Sequence, residues 1–275
     1  MIMTIQEKLL SYCQKAIALS YEEVPPASIG ATRFGGAPDV PADFEWPYFE
    51  TSTYEDEVVK PRPLSFLAQF CCEDLAPYDA ENLLPKHGLL SFFYEFGSQR
   101  WGYDPTDKGC ARVFWFEDTK ALIRADVPAE LEEDFRFAPK GYCLQTKPSY
   151  PSGEDFAMLG GEADDDFYGV YDALDQANSS KILGWATLQQ GNMTMECALV
   201  TQGYYLGGPD GWAEIPKTVK EEAKTRSICD WQLLLQLDSE GELMFGDCGM
   251  IYFYIKKEDL AARRFDRAWL VLQCG

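Results

Sequence analysis

The chain holds one histidine, His87, and that count removes most common acid–base and metal chemistry. A zinc-type histidine pair cannot be assembled. A Ser-His-Asp triad would have to use His87, and no G-x-S-x-G elbow accompanies it. A thiol dyad would need His87 beside Cys71, Cys72 or Cys110, but Pro85-Lys-His-Gly88 reads as a turn. Phosphate-cradling loops of the P-loop or G-x-G-x-x-G kind are missing. Gly207-Gly-Pro-Asp-Gly211 contains proline, has no helical pattern after it, and is expected to be a turn. Asp164-Asp-Asp166 cannot aim three carboxylates at one ion from adjacent helical positions and suits the first turn of a helix. Asp238-Ser-Glu-Gly-Glu242 lacks the spacing of a calcium loop and reads as a hairpin turn. No metal and no cofactor is implied.

Two glutamines remain. Gln69 and Gln236 each interrupt an apolar strand-like run, and a buried amide must find partners. If the chain is built from two related halves, both amides are expected near a shared axis, with Arg33, Asp238 and Asp247 for company. Those five residues are the candidate ligand-binding set. Alternatively, the amides form a structural network that satisfies loop backbone. A carboxylate pair such as Asp238 and Asp247 is what a hydrolase would use.

The elements that must position these groups repeat. Leu67-Ala-Gln-Phe70 precedes Gly88-Leu-Leu-Ser-Phe-Phe-Tyr94, and Leu234-Leu-Gln-Leu237 precedes Gly249-Met-Ile-Tyr-Phe-Tyr-Ile255. Arg33-Phe-Gly-Gly-Ala37 comes before the first set and Ile182-Leu-Gly-Trp-Ala186 before the second. Arg112-Val-Phe-Trp-Phe116 follows the first set and Ala268-Trp-Leu-Val-Leu272 the second. This order predicts an α+β protein: predominantly antiparallel sheet, two similar β-rich repeats over about 29–125 and 181–275, and a few peripheral helices. One domain over 1–275 is expected, with a helical connector at about 152–178.

Strands are expected at 29–34, 64–70, 88–95, 111–117, 120–124, 135–145, 181–186, 195–200, 230–238, 249–255 and 267–273. The 88–94 run is apolar on both faces, which predicts cover on two sides. Residues 4–19 show helical spacing at Ile5, Leu9, Cys13, Ala16 and Ile17, with Thr4 and Glu7 as a capping box. Pro216 to Arg226 and Lys257 to Arg264 predict two more helices. The segment 21–62 is punctuated by Pro25-Pro26, Gly35-Gly36, Pro38, Pro41 and Pro47 and predicts long loops, pinned by Phe44 and Trp46.

Composition bounds the partners. The hydrophobic fraction of 46% is too high for disorder. A net charge of −21 repels phosphate backbones and anionic membranes and would steer in a basic protein partner. No run reaches the ~20 apolar residues of a membrane span. The first residues lack a signal-peptide pattern, and nine cysteines without C-x-x-C spacing fit free, buried thiols. A cytoplasmic protein is expected.

Several motifs together resemble the YwqG-like bacterial proteins. They are Arg33-Phe-Gly-Gly-x-Pro38-Asp39-x-Pro41 with Trp46-Pro47, Pro63-Leu-Ser-Phe-Leu-Ala-Gln69, and Leu84-Pro85-x-x-Gly88 through Tyr94. Trp101-Gly102-x-Asp104-Pro105, Lys181-Ile-Leu-Gly184-Trp185 and Trp231 through Ser239 join them, as do Phe245-Gly246-Asp247-x-Gly249 and Gln273-Cys274. Ala186 stands where that family tends to have proline, and Phe245 where it tends to have tryptophan. The resemblance implies an α+β fold with much antiparallel sheet, and no activity. By association with toxin neighbourhoods it admits an inhibitor or immunity role. The expected function is therefore a non-catalytic binding or interaction protein. The alternative is a carboxylate-based enzyme or small-ligand sensor, its unknown ligand held between the repeats.

Overall fold

A computed structural model describes residues 3–22, 28–177, 179–241 and 243–275. Pro25-Pro26, Asn178 and Glu242 lie outside them. In chain order the strands are β1 (Gln14–Glu22), β2 (Arg33–Phe34), β3 (Asp39–Val40), β4 (Tyr48–Thr51), β5 (Lys60–Pro63), β6 (Ser65–Cys71) and β7 (Leu89–Tyr94). There follow β8 (Ala111–Phe116), β9 (Ile123–Arg124), β10 (Lys140–Ser149), β11 (Lys181–Ile182), β12 (Trp231–Asp238), β13 (Met250–Lys256) and β14 (Trp269–Gln273). The helices are α1 (Ile5–Ser11), α2 (Cys72–Leu75), α3 (Gly153–Met158), α4 (Asp165–Tyr171), α5 (Met193–Val200), α6 (Pro209–Glu214), α7 (Lys217–Asp230) and α8 (Lys257–Ala261).

Ten strands form one antiparallel sheet in the order β14-β13-β12-β11-β1-β10-β2-β6-β7-β8. The long β1–β10 pair sits at its centre, and each side runs outward through a two-residue strand, a glutamine strand, a glycine-led strand and an edge. The sheet folds over a core that draws on both sides: Phe92 of β7 meets Phe253 of β13 edge-to-face at 5.2 Å. The outer faces are covered differently. Phe44 and Trp46 pack on Phe66 and Phe93, as expected of a pinned loop, while α5 and α7 cover Leu233, Tyr252 and Val271. All six residues of β7 are buried, so its apolarity on both faces reflects cover on two sides.

Four expectations fail, each for a local reason. The amphipathic helix ends at Ser11, and Gln14–Glu22 is the central strand β1. Ala16, Ile17 and Leu19 satisfy either period, and two flanking ladders decide for the strand. Residues 195–200 belong to α5, whose start is fixed by Asn192 accepting from the Met195 N–H. The glycine-rich turn at 207–211 opens α6, with Pro209 in the first helical turn where its missing N–H costs nothing. The strand at 181–186 stops at Ile182, because Leu183 and Gly184 take positive φ and turn the chain. Of the nine cysteines, all free, Cys72, Cys110, Cys197 and Cys274 are buried, while Cys143, Cys229 and Cys248 are exposed.

Candidate functional site

Gln69 and Gln236 do not meet. Four strands lie between theirs in the sheet, and each amide is sealed at 0% exposure within its own network. The two networks correspond in their main bonds. Gln69 pairs with Arg33 in the ladder and Gln236 with Lys181. Gln69 Oε1 accepts from the Asp39 N–H at 2.9 Å, and its Nε2 donates to the Ala31 carbonyl at 2.9 Å. Gln236 Oε1 accepts from the Thr187 N–H at 2.9 Å, and its Nε2 donates to the Ser179 carbonyl at 2.8 Å. Thr32 Oγ1 accepts from the Cys71 N–H and Ser180 Oγ from the Asp238 N–H. Gly35-Gly36 and Leu183-Gly184 both turn through positive φ, and both glutamine strands carry a register shift just before the amide. Each amide clamps the loop leaving the short strand, which is the structural-network alternative.

Arg33 lies beside Gln69 and anchors the first network. Its Nη1 donates to Asp39 Oδ2 at 2.7 Å, Arg124 Nε donates to Asp39 Oδ1 at 2.6 Å, and Gln69 Nε2 adds a third bond at 2.7 Å. Burial disfavours the Asp39 carboxylate, yet these donors and the Gly30 N–H outweigh it and hold its pKa below the ordinary value. Lys181 stands where Arg33 does, with Thr187 in place of Asp39. Its Nζ donates to the Ala177 carbonyl at 2.6 Å and to Thr187 Oγ1 at 2.9 Å. Burial pushes its pKa down to about 7, with Asp155 opposing. Asp238 is half-buried at the end of β12, and burial raises its pKa. Asp247 is exposed on the turn before β13. His87 is exposed beside Glu117 rather than a thiol. The predicted set thus divides into one tight cluster, Arg33 with Gln69, and three residues in the other half.

A cleft lies elsewhere, at the seam where the sheet's edges face each other. Trp101 and Gly102 close part of it: the Trp101 carbonyl accepts from the Leu272 N–H at 3.0 Å, and the Gly102 carbonyl from Trp269 Nε1 at 2.9 Å. A side chain at Gly102 would strike the Leu270 carbonyl, so only glycine allows this approach. Beyond that plug the seam opens into a cleft of about 370 Å³ between Lys108–Arg112 on one side and Trp231, Lys256 and Ala268–Leu270 on the other. This size suits a small molecule. Lys256 Nζ lies 5.8 Å above the Trp231 ring. Asp259 is committed to Arg264 at 2.6 Å, Asp266 neighbours Arg267 at 3.6 Å, and Asp107 accepts from the Gly102 N–H. Among the described residues Lys108, Arg112 and Lys256 have no carboxylate at salt-bridge distance. The sequence gives little sign of this set, because its members come from segments far apart. Among the described residues no group of three His, Cys, Asp or Glu side chains is gathered for a metal, and no helix is long and apolar enough to cross a membrane.

The fold and cleft define an α+β protein whose single large antiparallel sheet is folded on itself with an unclosed seam. The chain belongs to the DUF1963 family, a domain of unknown function whose model matches residues 32–274. No curated protein matches it.

Proposed function

We propose that this is a non-catalytic, YwqG-like binding protein that takes a small anionic molecule in the seam cleft between two repeats. One observation carries the reading: three cations with no carboxylate partner among the described residues line one cavity in a chain whose net charge is −21. Long-range repulsion of an anion by that charge is screened beyond ~8 Å at physiological salt, so the local cations dominate inside the cleft. Trp231 and Trp269, both largely buried, form part of the cleft's apolar wall, against which an anion with an apolar portion would pack. The matching amide networks support a duplicated unit, and a cleft at the meeting of two copies needs no loop to wander from its frame. The carboxylate-enzyme alternative finds less support, since Asp238 and Asp247 lie outside the cleft lining.

The test is thermal melting and tryptophan fluorescence with inorganic phosphate, citrate, a nucleoside monophosphate and 4-hydroxybenzoate. A ligand at a hundredfold its Kd contributes ~2.7 kcal/mol, which for a chain of this size is a rise of roughly 5 °C. At least one probe is expected to give that rise, and Lys108→Ala/Arg112→Ala/Lys256→Ala to abolish it. No response to any probe, or an undiminished response in the triple variant, would count decisively against the cleft.

A further inference from the structure

A second cavity, of about 230 Å³, opens further along the same seam and has the opposite chemistry. It is lined by Tyr103, Gln190, Gly191, Glu196, Leu206 and Gln273, with no cation among them. Glu196 sits on α5 and Gln273 on β14, while Tyr103 comes from the loop that plugs the seam. Gln273 is already engaged: its Oε1 accepts from the Gln189 and Gln190 N–H groups at 3.1 Å, and its Nε2 donates to the Gly191 carbonyl at 2.9 Å. Gln190 is spent on the Cys274 carbonyl. Glu196 is different. Its carboxyl lies within hydrogen-bonding reach of the Tyr103 phenol, and among the described residues its buried Oε2 has no other partner.

An under-partnered buried carboxylate oxygen is a cost that folding does not require, and natural interiors seldom keep one. Leucine at this helical position would fill the same space. Burial raises the Glu196 pKa to about 7; the Tyr103 phenol offsets part of that rise and the Glu154 charge adds to it. A cation entering the cavity would pair with the carboxyl that lines it and favour its charged form. The Tyr103 ring would offer a π face to the same cation. The net charge of −21 draws cations toward the surface, so the long-range field and the local group agree here.

We propose that the Glu196–Tyr103 cavity binds an alkyl ammonium or alkyl guanidinium group. This chemistry has two sources, a free amine metabolite or the lysine or arginine side chain of a basic protein partner. The site is independent of the anion reading, since it shares no lining residue with the cleft.

The experiment is titration calorimetry with n-butylammonium, n-butylguanidinium, and the Nα-acetyl amides of lysine and arginine. Saturable binding is expected with at least one of them. Glu196→Gln is expected to weaken it at least tenfold, and Tyr103→Phe, which keeps the ring, to weaken it less. Thermal melting of both variants reports whether the fold is kept, and the Lys108/Arg112/Lys256 triple variant is expected to bind these cations like the wild type. Tighter binding of the amides points to a partner's side chain, and tighter binding of the free cations to a metabolite. If no probe saturates, or if Glu196→Gln melts normally and binds as well as the wild type, the proposal is overturned.

Discussion

The Arg33 network and the Lys181 network hold the same place on their strands and solve the problem of a buried cation in opposite ways. Arg33 keeps its charge, because guanidinium does not deprotonate in proteins, and Asp39, held ionised by bonds from Arg33, Arg124 and Gln69, is its counter-charge. Lys181 has a hydroxyl and a carbonyl instead, and burial moves its pKa down to about 7. One half contains a fixed ion pair and the other a group that can shed its proton. The glutamine clamp is common to both, so the loop geometry depends on the amide and not on how the neighbouring charge is handled. The outer cover differs in the same sense: loops and aromatic rings on the Arg33 side, helices on the Lys181 side.

This contrast can be broken from either end. The largest effect is expected from Asp39→Ala, which leaves Arg33 buried without a counter-charge and costs about 3–5 kcal/mol in chemical denaturation. Lys181→Arg is expected to cost on the order of 3 kcal/mol, because arginine cannot neutralise itself where lysine can. Adding Thr187→Asp recreates the Arg33–Asp39 arrangement and is expected to recover most of that loss. A double-mutant cycle showing no coupling would mean that the two sites only look alike.

The smallest effect is expected from Lys181→Met, ~1 kcal/mol at neutral pH, and its pH dependence is the sharper test. The folded pKa of Lys181 lies below the unfolded one, so the unfolded chain holds more protons between about pH 7 and 10. Wild-type stability attributable to Lys181 therefore rises as pH increases through that window. The Met variant lacks this gain and should fall behind the wild type as pH rises from about 7 to 9. Differences that stay flat would mean that Lys181 titrates near its ordinary value.

Much of the fold was legible. The Leu67–Phe70 and Leu234–Leu237 runs, their glycine-led followers and the edge strands all lie where their apolar and β-branched composition puts them. Arg33 and Gln69 are ladder neighbours, yet the Asp39 carboxylate that joins them was not legible in the sequence. The convergence of Gln69 with Gln236 was not, because an axis relating two halves can pass between strands that neither half contains. Here β11, β1, β10 and β2 separate the two glutamine strands, and the Ala16–Leu19 segment of β1 fits helix and strand patterns alike. The seam cations were hidden for a related reason: Lys108, Arg112 and Lys256 look like ordinary surface charges until the folded sheet gathers them at one cleft.

By itself the sequence determined the strand runs, the turns that punctuate them and the burial of the two amides, since these follow from side-chain period, glycine freedom and the apolar runs in which the glutamines sit. Only the tertiary structure decided that β1 and β10 would join the two sides, that the sheet would stay unclosed between β8 and β14, and which charges would gather there. Those outcomes turn on contacts between segments far apart in the chain, whose closing entropy and packing no local pattern encodes.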